Sequence, residues 1–234
     1  MDVYAGKHQG SQAVERYWRK LSNRIDRLRH GIEHDVLSLH AYGAVFDCTI
    51  GVGRFLGTLP KVTSESGMDI SEEFVGHVRE AHQNVMVVTG DLSVGIAEPD
   101  NRFDTVICLR SLSAIGGLAA ILPDMVRIAK PGGHVIVDYG RRPVTVTLNG
   151  QHVTTDGEDF DRIVRDLNAD TVARVLCDAL LTRLKRRGRI FRFFTQGPGR
   201  HIPDSMLLGL ERMAVPLFWE RQIVVLRKRM PDRA

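Results

Sequence analysis

Between residues 40 and 140 the chain alternates short apolar runs with amphipathic stretches, and most runs close on an acid. Val45-Phe46-Asp47-Cys48-Thr49-Ile50 leads into Gly51-Val52-Gly53-Arg54-Phe55-Leu56, which predicts a buried strand, an acid at its end, a glycine-bearing turn and a helix start just beyond. Gly67-Met68-Asp69-Ile70-Ser71 closes a second strand, although Thr63-Ser64-Glu65-Ser66 is polar where an interior parallel strand is normally apolar. Val85-Met86-Val87-Val88-Thr89-Gly90-Asp91 and Phe103-Asp104-Thr105-Val106-Ile107-Cys108-Leu109 read as the third and fourth. Ile128-Ala129-Lys130 reads as a helix end, Pro131-Gly132-Gly133 as a break and His134 to Tyr139 as the fifth strand.

On the N-terminal side, Val14, Tyr17, Trp18, Leu21, Ile25 and Leu28 fall at helical spacing with Arg16, Arg24 and Arg27 between them, so a helical stripe over 11–30 is expected to dock on the core. On the C-terminal side, Val144–Leu148 and Gln151–Thr155 flank Asn149-Gly150, the pair that supplies the positive φ of a two-residue hairpin turn. Asp170 is placed to cap a helix bearing Val172, Val175, Leu176, Ala179, Leu180 and Leu184, with Gly188 to end it. Ile190-Phe191-Arg192-Phe193-Phe194 reads as a strand, 202–213 as a helix and 220–228 as a final strand. The expected organisation is one domain over 1–234: a helical cap (1–40), a ligand-binding core (41–140), a hairpin and helix (141–188) and a C-terminal strand pair (189–234).

Composition narrows the class. With 234 residues and 43% hydrophobic content the chain can bury one large core, and no Pro/Gly/Ser-rich linker interrupts it. No run of about 18 apolar residues is present for a membrane span, and Met1-Asp2-Val3-Tyr4 does not open a signal peptide, so a cytoplasmic protein is expected. Cys48 and Cys108 on apolar strands and Cys177 on the expected helix read as buried thiols, with neither zinc nor disulfide spacing. The net charge of +4 invites a nucleic-acid partner, but 28 acids nearly balance 32 bases, which argues against a dedicated nucleic-acid binder. Arg183, Lys185, Arg186, Arg187, Arg189 and Arg192 complement the C-terminal dipole of the expected helix, or else face an anionic acceptor or partner.

The candidate chemistry gathers at the first strand end. Gly51 and Gly53 let the backbone approach a ligand where a side chain would collide. Asp47 would repel a phosphate and suits a cation or a hydroxyl, so a positively charged nucleoside is favoured over a dinucleotide. Asp69 follows Asp47 by 22 positions, where a doubly wound fold places the acid that binds ribose hydroxyls. Five strand ends in this order, with these residues, resemble the class I S-adenosylmethionine-dependent methyltransferases over roughly residues 40 to 140. The resemblance implies an α/β, Rossmann-like fold with a doubly wound, mostly parallel sheet and a C-terminal antiparallel strand pair, and S-adenosylmethionine as cofactor. By the same resemblance Asp47, Gly51 and Gly53 match the glycine-rich first motif, and Asp69, with Ile70 beside it, matches the ribose acid. Asp91, followed by Leu92, matches the acid next to the adenine amino group. Leu109 and Arg110 fall where the fourth strand passes the methionine half. Thr49 stands where the family usually has glycine, so its side chain must fit beside the ligand.

Methyl transfer from a sulfonium is an in-line displacement with a good leaving group, and alignment alone can supply roughly 7–11 kcal/mol. A general base is needed only when the acceptor still holds its proton, and Tyr139, His152, Asp138 and His201 are the candidates near strand ends or on adjoining loops. No Asn/Asp-Pro-Pro-Tyr/Phe run follows Val106-Ile107-Cys108 and no Pro-Cys pair occurs, which disfavours nucleobase acceptors. The expected acceptor is therefore an oxygen or nitrogen of a small, lipid-like or sugar-bearing metabolite, received among Phe191, Phe193, Phe194, Leu207, Leu208, Leu217 and Phe218. The alternatives are an RNA or protein methyltransferase and a non-catalytic binding module; a homodimer is compatible with each. Arg110, a cation near an expected sulfonium, needs an anion: the cofactor carboxylate, an acid such as Asp47, or an acidic acceptor, unless it points into solvent.

Overall fold

The computed structural model describes residues 12–112, 115, 118–140, 144–148, 151–155, 157–181, 192–193 and 196–231. Helices α1 (Ala13–Leu21) and α2 (Arg24–His40) lead into strand β1 (Gly43–Asp47). Then follow β2 (Val62–Asp69), α3 (Glu72–Ala81), β3 (Met86–Thr89), β4 (Phe103–Cys108), α4 (Leu118–Ile128) and β5 (Ala129–Gly140). A hairpin of β6 (Val144–Leu148) and β7 (Gln151–Thr155), α5 (Gly157–Asp166), β8 (Ala169–Cys177), a short 3-10 turn (Pro198–His201), α6 (Asp204–Phe218) and β9 (Arg221–Lys228) complete the order.

Seven strands form one sheet in the order β3-β2-β1-β4-β5-β9-β8. β1 to β5 are parallel, whereas β9 runs antiparallel to both β5 and β8. The chain order reverses between β1 and β4, which opens a crevice at the carboxyl ends of those strands. Alternating side chains fill both faces. Phe46, Val106, Val135, Val137, Val224 and Leu226 pack with Leu122 and Met125 of α4 and Phe160 of α5, while Val45, Ile107, Ile136, Ile223 and Val225 pack with Val36 and Leu37 of α2. The doubly wound sheet and its antiparallel C-terminal pair are as the sequence predicts.

Five local expectations need correction. The helix end expected at Ala129-Lys130 and the break expected at Pro131-Gly132-Gly133 both lie inside β5, which begins at Ala129 by pairing with Phe103 and is irregular before His134. The stripe over 11–30 is two helices, because Asn23 leaves the helical conformation (ψ 148°) and its side chain accepts the Asp26 N–H, which starts α2 afresh. No helix begins after Gly53; i to i+3 bonds from Gly53 to Ile50, Leu56 to Gly53 and Thr58 to Phe55 carry the chain back to β2 as successive turns. The helix expected from Asp170 is strand β8, and Cys177 therefore lies at a strand end. Its apolar residues fit both periods, but Thr171, Val172 and Val175 are β-branched, and pairing with β9 decides the outcome, with a bulge between Thr171 and Ala173. β8 also replaces 190–194 as the partner of β9: Arg192 and Phe193 are helical, and the Arg192 carbonyl accepts from Gln196 and Gly197. Ile190, Phe191 and Phe194, and the basic run from Arg183 to Arg189, lie outside the described residues. The predicted hairpin forms, with Leu148 opposite Gln151 across Asn149-Gly150, which themselves lie outside the described residues.

Candidate active site

At the crevice, β2 ends in a close contact with β1. A Cβ on Gly67 would lie 2.5 Å from the Asp47 carbonyl oxygen, so only glycine lets β1 and β2 approach there. This brings the two acids to the turn between them. The Asp47 carboxylate accepts the Thr49 N–H (3.0 Å), and Asp69 accepts from Gly51 N–H (2.8 Å) and Ser71 N–H (3.0 Å). Burial pushes the Asp47 carboxyl up to about 6 despite the Thr49 N–H. Burial also raises Asp69, against the pull of the Ser71, Gly51 and Ile70 N–H groups.

Gly51 and Gly53 both have positive φ, +57° and +72°, but they differ in what lies beside them. A Cβ on Gly53 would meet Leu56 Cδ1 at 2.7 Å, whereas at Gly51 the nearest atom is the Thr49 carbonyl at 4.0 Å. The open approach is therefore at Gly51, while Gly53 is needed for packing inside the turn. Thr49 points its hydroxyl toward Cys108 Sγ (3.8 Å) on β4. Ile70 is more than a third exposed beside Asp69. Asp91 accepts from the Ser93 N–H (2.8 Å) and hydroxyl (2.7 Å), which fixes the turn after β3, and Leu92 and Leu109 are buried.

Arg110 is neither exposed nor paired with Asp47. Its φ of +65° is unusual for a non-glycine residue, and its N–H is held by Asp138 at 2.6 Å. Its Nε donates to Glu33 of α2 at 2.6 Å. Glu33 also accepts from Arg54 (2.8 Å) and forms an ion pair with Arg221 (2.6 Å); Arg221 reaches Asp138 (2.5 Å) and Asp178 (2.7 Å), and Arg29 closes on Asp178 at 2.5 Å. With Asp26 near Arg29, four arginines and four acids from α2, the β1 turn, β4, β5, β8 and β9 balance at the carboxyl edge. Burial alone would raise the Glu33 carboxyl, but Arg221, Arg54 and Arg110 pull it far below the usual range. Asp178 is lowered by Arg221 and Arg29 against the same burial, while desolvation lowers Arg110.

The candidate bases whose side chains are described are either engaged by other groups or exposed. Tyr139 stacks on Phe160 (centroids 4.1 Å apart), its hydroxyl is held by Arg174 and Gln222, and burial raises it. Asp138 is taken by Arg110 and Arg221. His201 is exposed beside Arg200, and the His152 side chain lies outside the described residues. Among the described residues no group of three or more His, Cys, Asp or Glu is arranged to hold a metal. Sequence reasoning missed Glu33, Arg29, Arg54, Asp178 and Arg221, whose partners are distant in the chain.

A doubly wound sheet with an open glycine turn at its switch point, flanked by two partly buried acids, is where open α/β sheets receive a ligand. A methyltransferase-domain family model matches residues 46–137. A ubiquinone/menaquinone biosynthesis C-methyltransferase of Enterobacter sp. (strain 638) is 25% identical over 199 residues, 75% of this chain and 76% of that protein. A demethylmenaquinone methyltransferase of Staphylococcus aureus (strain MRSA252) is 27% identical over 153 residues, 56% of this chain, which spans 62% of that protein's length. The magnesium protoporphyrin IX methyltransferase of Synechocystis PCC 6803, solved with bound SAH, superposes with a TM-score of 0.62 at 16% identity, over 97% of this chain and 98% of that one. Residues 46–137 therefore carry a methyltransferase domain, and the sheet around them has the fold of the S-adenosylmethionine-dependent methyltransferases.

Proposed function

We propose that this enzyme methylates a ring carbon of a small, largely apolar acceptor. The observation that carries the reading is the likeness over three quarters of the chain to a quinone-pathway C-methyltransferase. It displaces oxygen or nitrogen, the atoms expected from the sequence, as the first choice of acceptor. S-adenosylmethionine supplies an electrophilic methyl and a thioether leaving group. In this reading Asp69 receives the ribose hydroxyls, Gly51 gives the backbone clearance, Ile70, Asp91 and Leu92 border the base, and Asp47 faces the cationic half.

To an electron-rich ring carbon the bound cofactor would supply the methyl and its leaving group, and the displaced ring proton would pass to water. Such a transfer needs no side chain to deprotonate the nucleophile first, which agrees with Tyr139 and Asp138 being engaged elsewhere. A cytoplasmic setting belongs with it, supported by three buried free thiols. The test is transfer from ¹³C-methyl cofactor into a panel of hydroquinones, phenols, alcohols and amines, with the product methyl located by NMR. A ring-bound methyl is expected; an oxygen- or nitrogen-bound methyl would restore the second reading, and no transfer to any ring acceptor would overturn the first.

A further inference from the structure

We propose that the cleft between the start of α2 and the start of α6 receives an oxyanion carried by the methyl acceptor, so that the acceptor is a ring bearing a carboxylate or a phosphate. This rests on the ring-acceptor reading above and names the class of ring. The cleft measures about 660 Å³, with Ser22, Asn23 and Arg27 on one side and Arg200, Ile202 and Asp204 on the other. Arg24 builds its wall and is fully engaged in doing so. Its Nε donates to Asp204 (2.6 Å), and its Nη groups donate to the carbonyls of Gly199 (3.1 Å), Arg200 (3.2 Å) and Ile202. Asp204 is the one acid among the lining residues, so this pair cancels the negative charge there.

Two cations are left over. Arg27 Nη1 donates to the Ser22 carbonyl (2.9 Å), and Arg200 rests its Nε–H on His201 Nε2 (3.1 Å); among the described residues neither meets an acid. Both are exposed where they line the cleft, so each guanidinium keeps donors for a ligand. Two such forks match the oxygens of a carboxylate or a phosphate. The backbone field has the same sign, since both helices open their N-terminal ends here and no side chain caps α6. Ile202, packed on the cluster of Ile25, Leu28 and Leu207, gives the cleft an apolar side for a carbon skeleton. The cleft is also tied to the crevice. Asn23 Nδ2 donates to Asp26 (2.6 Å), whose other oxygen lies 4.0 Å from the Arg110 guanidinium just past β4. Arg24 stands roughly 14 Å along α2 from Glu33 at the carboxyl edge, a span that an arginine side chain and a ring with a short acidic arm together cover.

The test uses the full chain with S-adenosylhomocysteine added and three probes that share a ring: ethylphenol, hydroxyphenylpropionate and hydroxyphenylethyl phosphate. Calorimetry reads binding without transfer, so it judges the cleft even where no ring is methylated, whereas absence of ring methylation bears on the reading above alone. One of the two acids should bind at least about tenfold more tightly than ethylphenol, and the tighter acid identifies the oxyanion. The double variant Arg27→Gln/Arg200→Gln should lose that preference while keeping its melting temperature, because both side chains are exposed. Where transfer is seen, the loss should fall on KM for the acid and not on kcat. Equal binding of the three probes by the wild type overturns the proposal, as does a preference that survives in the variant. Inorganic phosphate should compete with the acids; phosphate that binds without displacing them marks a separate anion site and overturns the proposal too.

Discussion

At the scale of single residues, the two acids of the crevice are set by burial. A carboxylate holding sugar hydroxyls makes charge-assisted hydrogen bonds, so Asp69→Ala should weaken cofactor binding by about 1.5–3 kcal/mol in calorimetry with the fold intact. Equal affinity would remove Asp69 from the ribose. Asp47 titrates near 6, above an unfolded value of about 3.9. By linkage its contribution to stability is present below pH 4 and lost as the pH rises through 6, so folding disfavours the ionised form that a cation prefers. Cofactor affinity should thus fall as the pH drops below 6, with proton release on binding near that pH, and Asp47→Asn should flatten both. A wild-type affinity independent of pH between 5 and 7.5 would separate Asp47 from the cofactor. Both acids are legible in the sequence because they sit at strand ends with glycine nearby. The unequal roles of Gly51 and Gly53 are not, because they depend on Leu56 and Val78 packing against one of them.

At the scale of elements, strands β1 to β5 are readable because their apolar runs close on Gly or Asp and leave few other conformations, although the Pro131-Gly132-Gly133 expected to precede β5 lies within it. The second strand, polar at Thr63 to Ser66, is still recognisable by its Gly67-Met68-Asp69 end, and its exposure at Thr63 and Ser64 explains the polarity. Residues 169–177 mislead because Val172, Val175 and Leu176 also fit a helical stripe, and only the distant β9 selects the strand. The N-terminal break is likewise hidden in a continuous stripe, although Asn23 is a capping residue. Glu211 is the least legible element anchor: on a helix it looks like a solvent-facing acid, yet it closes three backbone N–H groups at 179–181. Glu211→Ala should therefore destabilise the protein by about 2–4 kcal/mol in urea unfolding, since Ala179 and Leu181 are buried and their donors would be left unmatched. A loss below about 0.5 kcal/mol, typical of a surface site, would show that this cap is dispensable.

At the scale of the whole molecule, the eight-charge cluster fastens α2 to the carboxyl edge of the sheet, so the N-terminal helix, the β1 turn and the C-terminal strands are joined beside the crevice. Its members run from Asp26 to Arg221, and sequence spacing carries no trace of such pairing; Arg110 is the exception, conspicuous for following an apolar strand. Buried arrays of this kind are costly to break because the remaining charges keep their desolvation penalty. Glu33→Gln removes the carboxylate shared by Arg54, Arg110 and Arg221 and should lower stability at pH 7 by about 3–5 kcal/mol. The pH dependence follows from the direction of the shifts. Glu33 and Asp178 are depressed in the folded protein, so the stability they contribute is present above their unfolded values of about 4 and lost as the pH falls toward the folded ones. Unfolding curves at pH 7 and pH 3 should accordingly show the wild type losing much of its advantage over Glu33→Gln in acid. An advantage that stays constant between the two pH values would mean that Glu33 stabilises the edge by shape and not by charge, and that α2 is held there by Val36 and Leu37 alone.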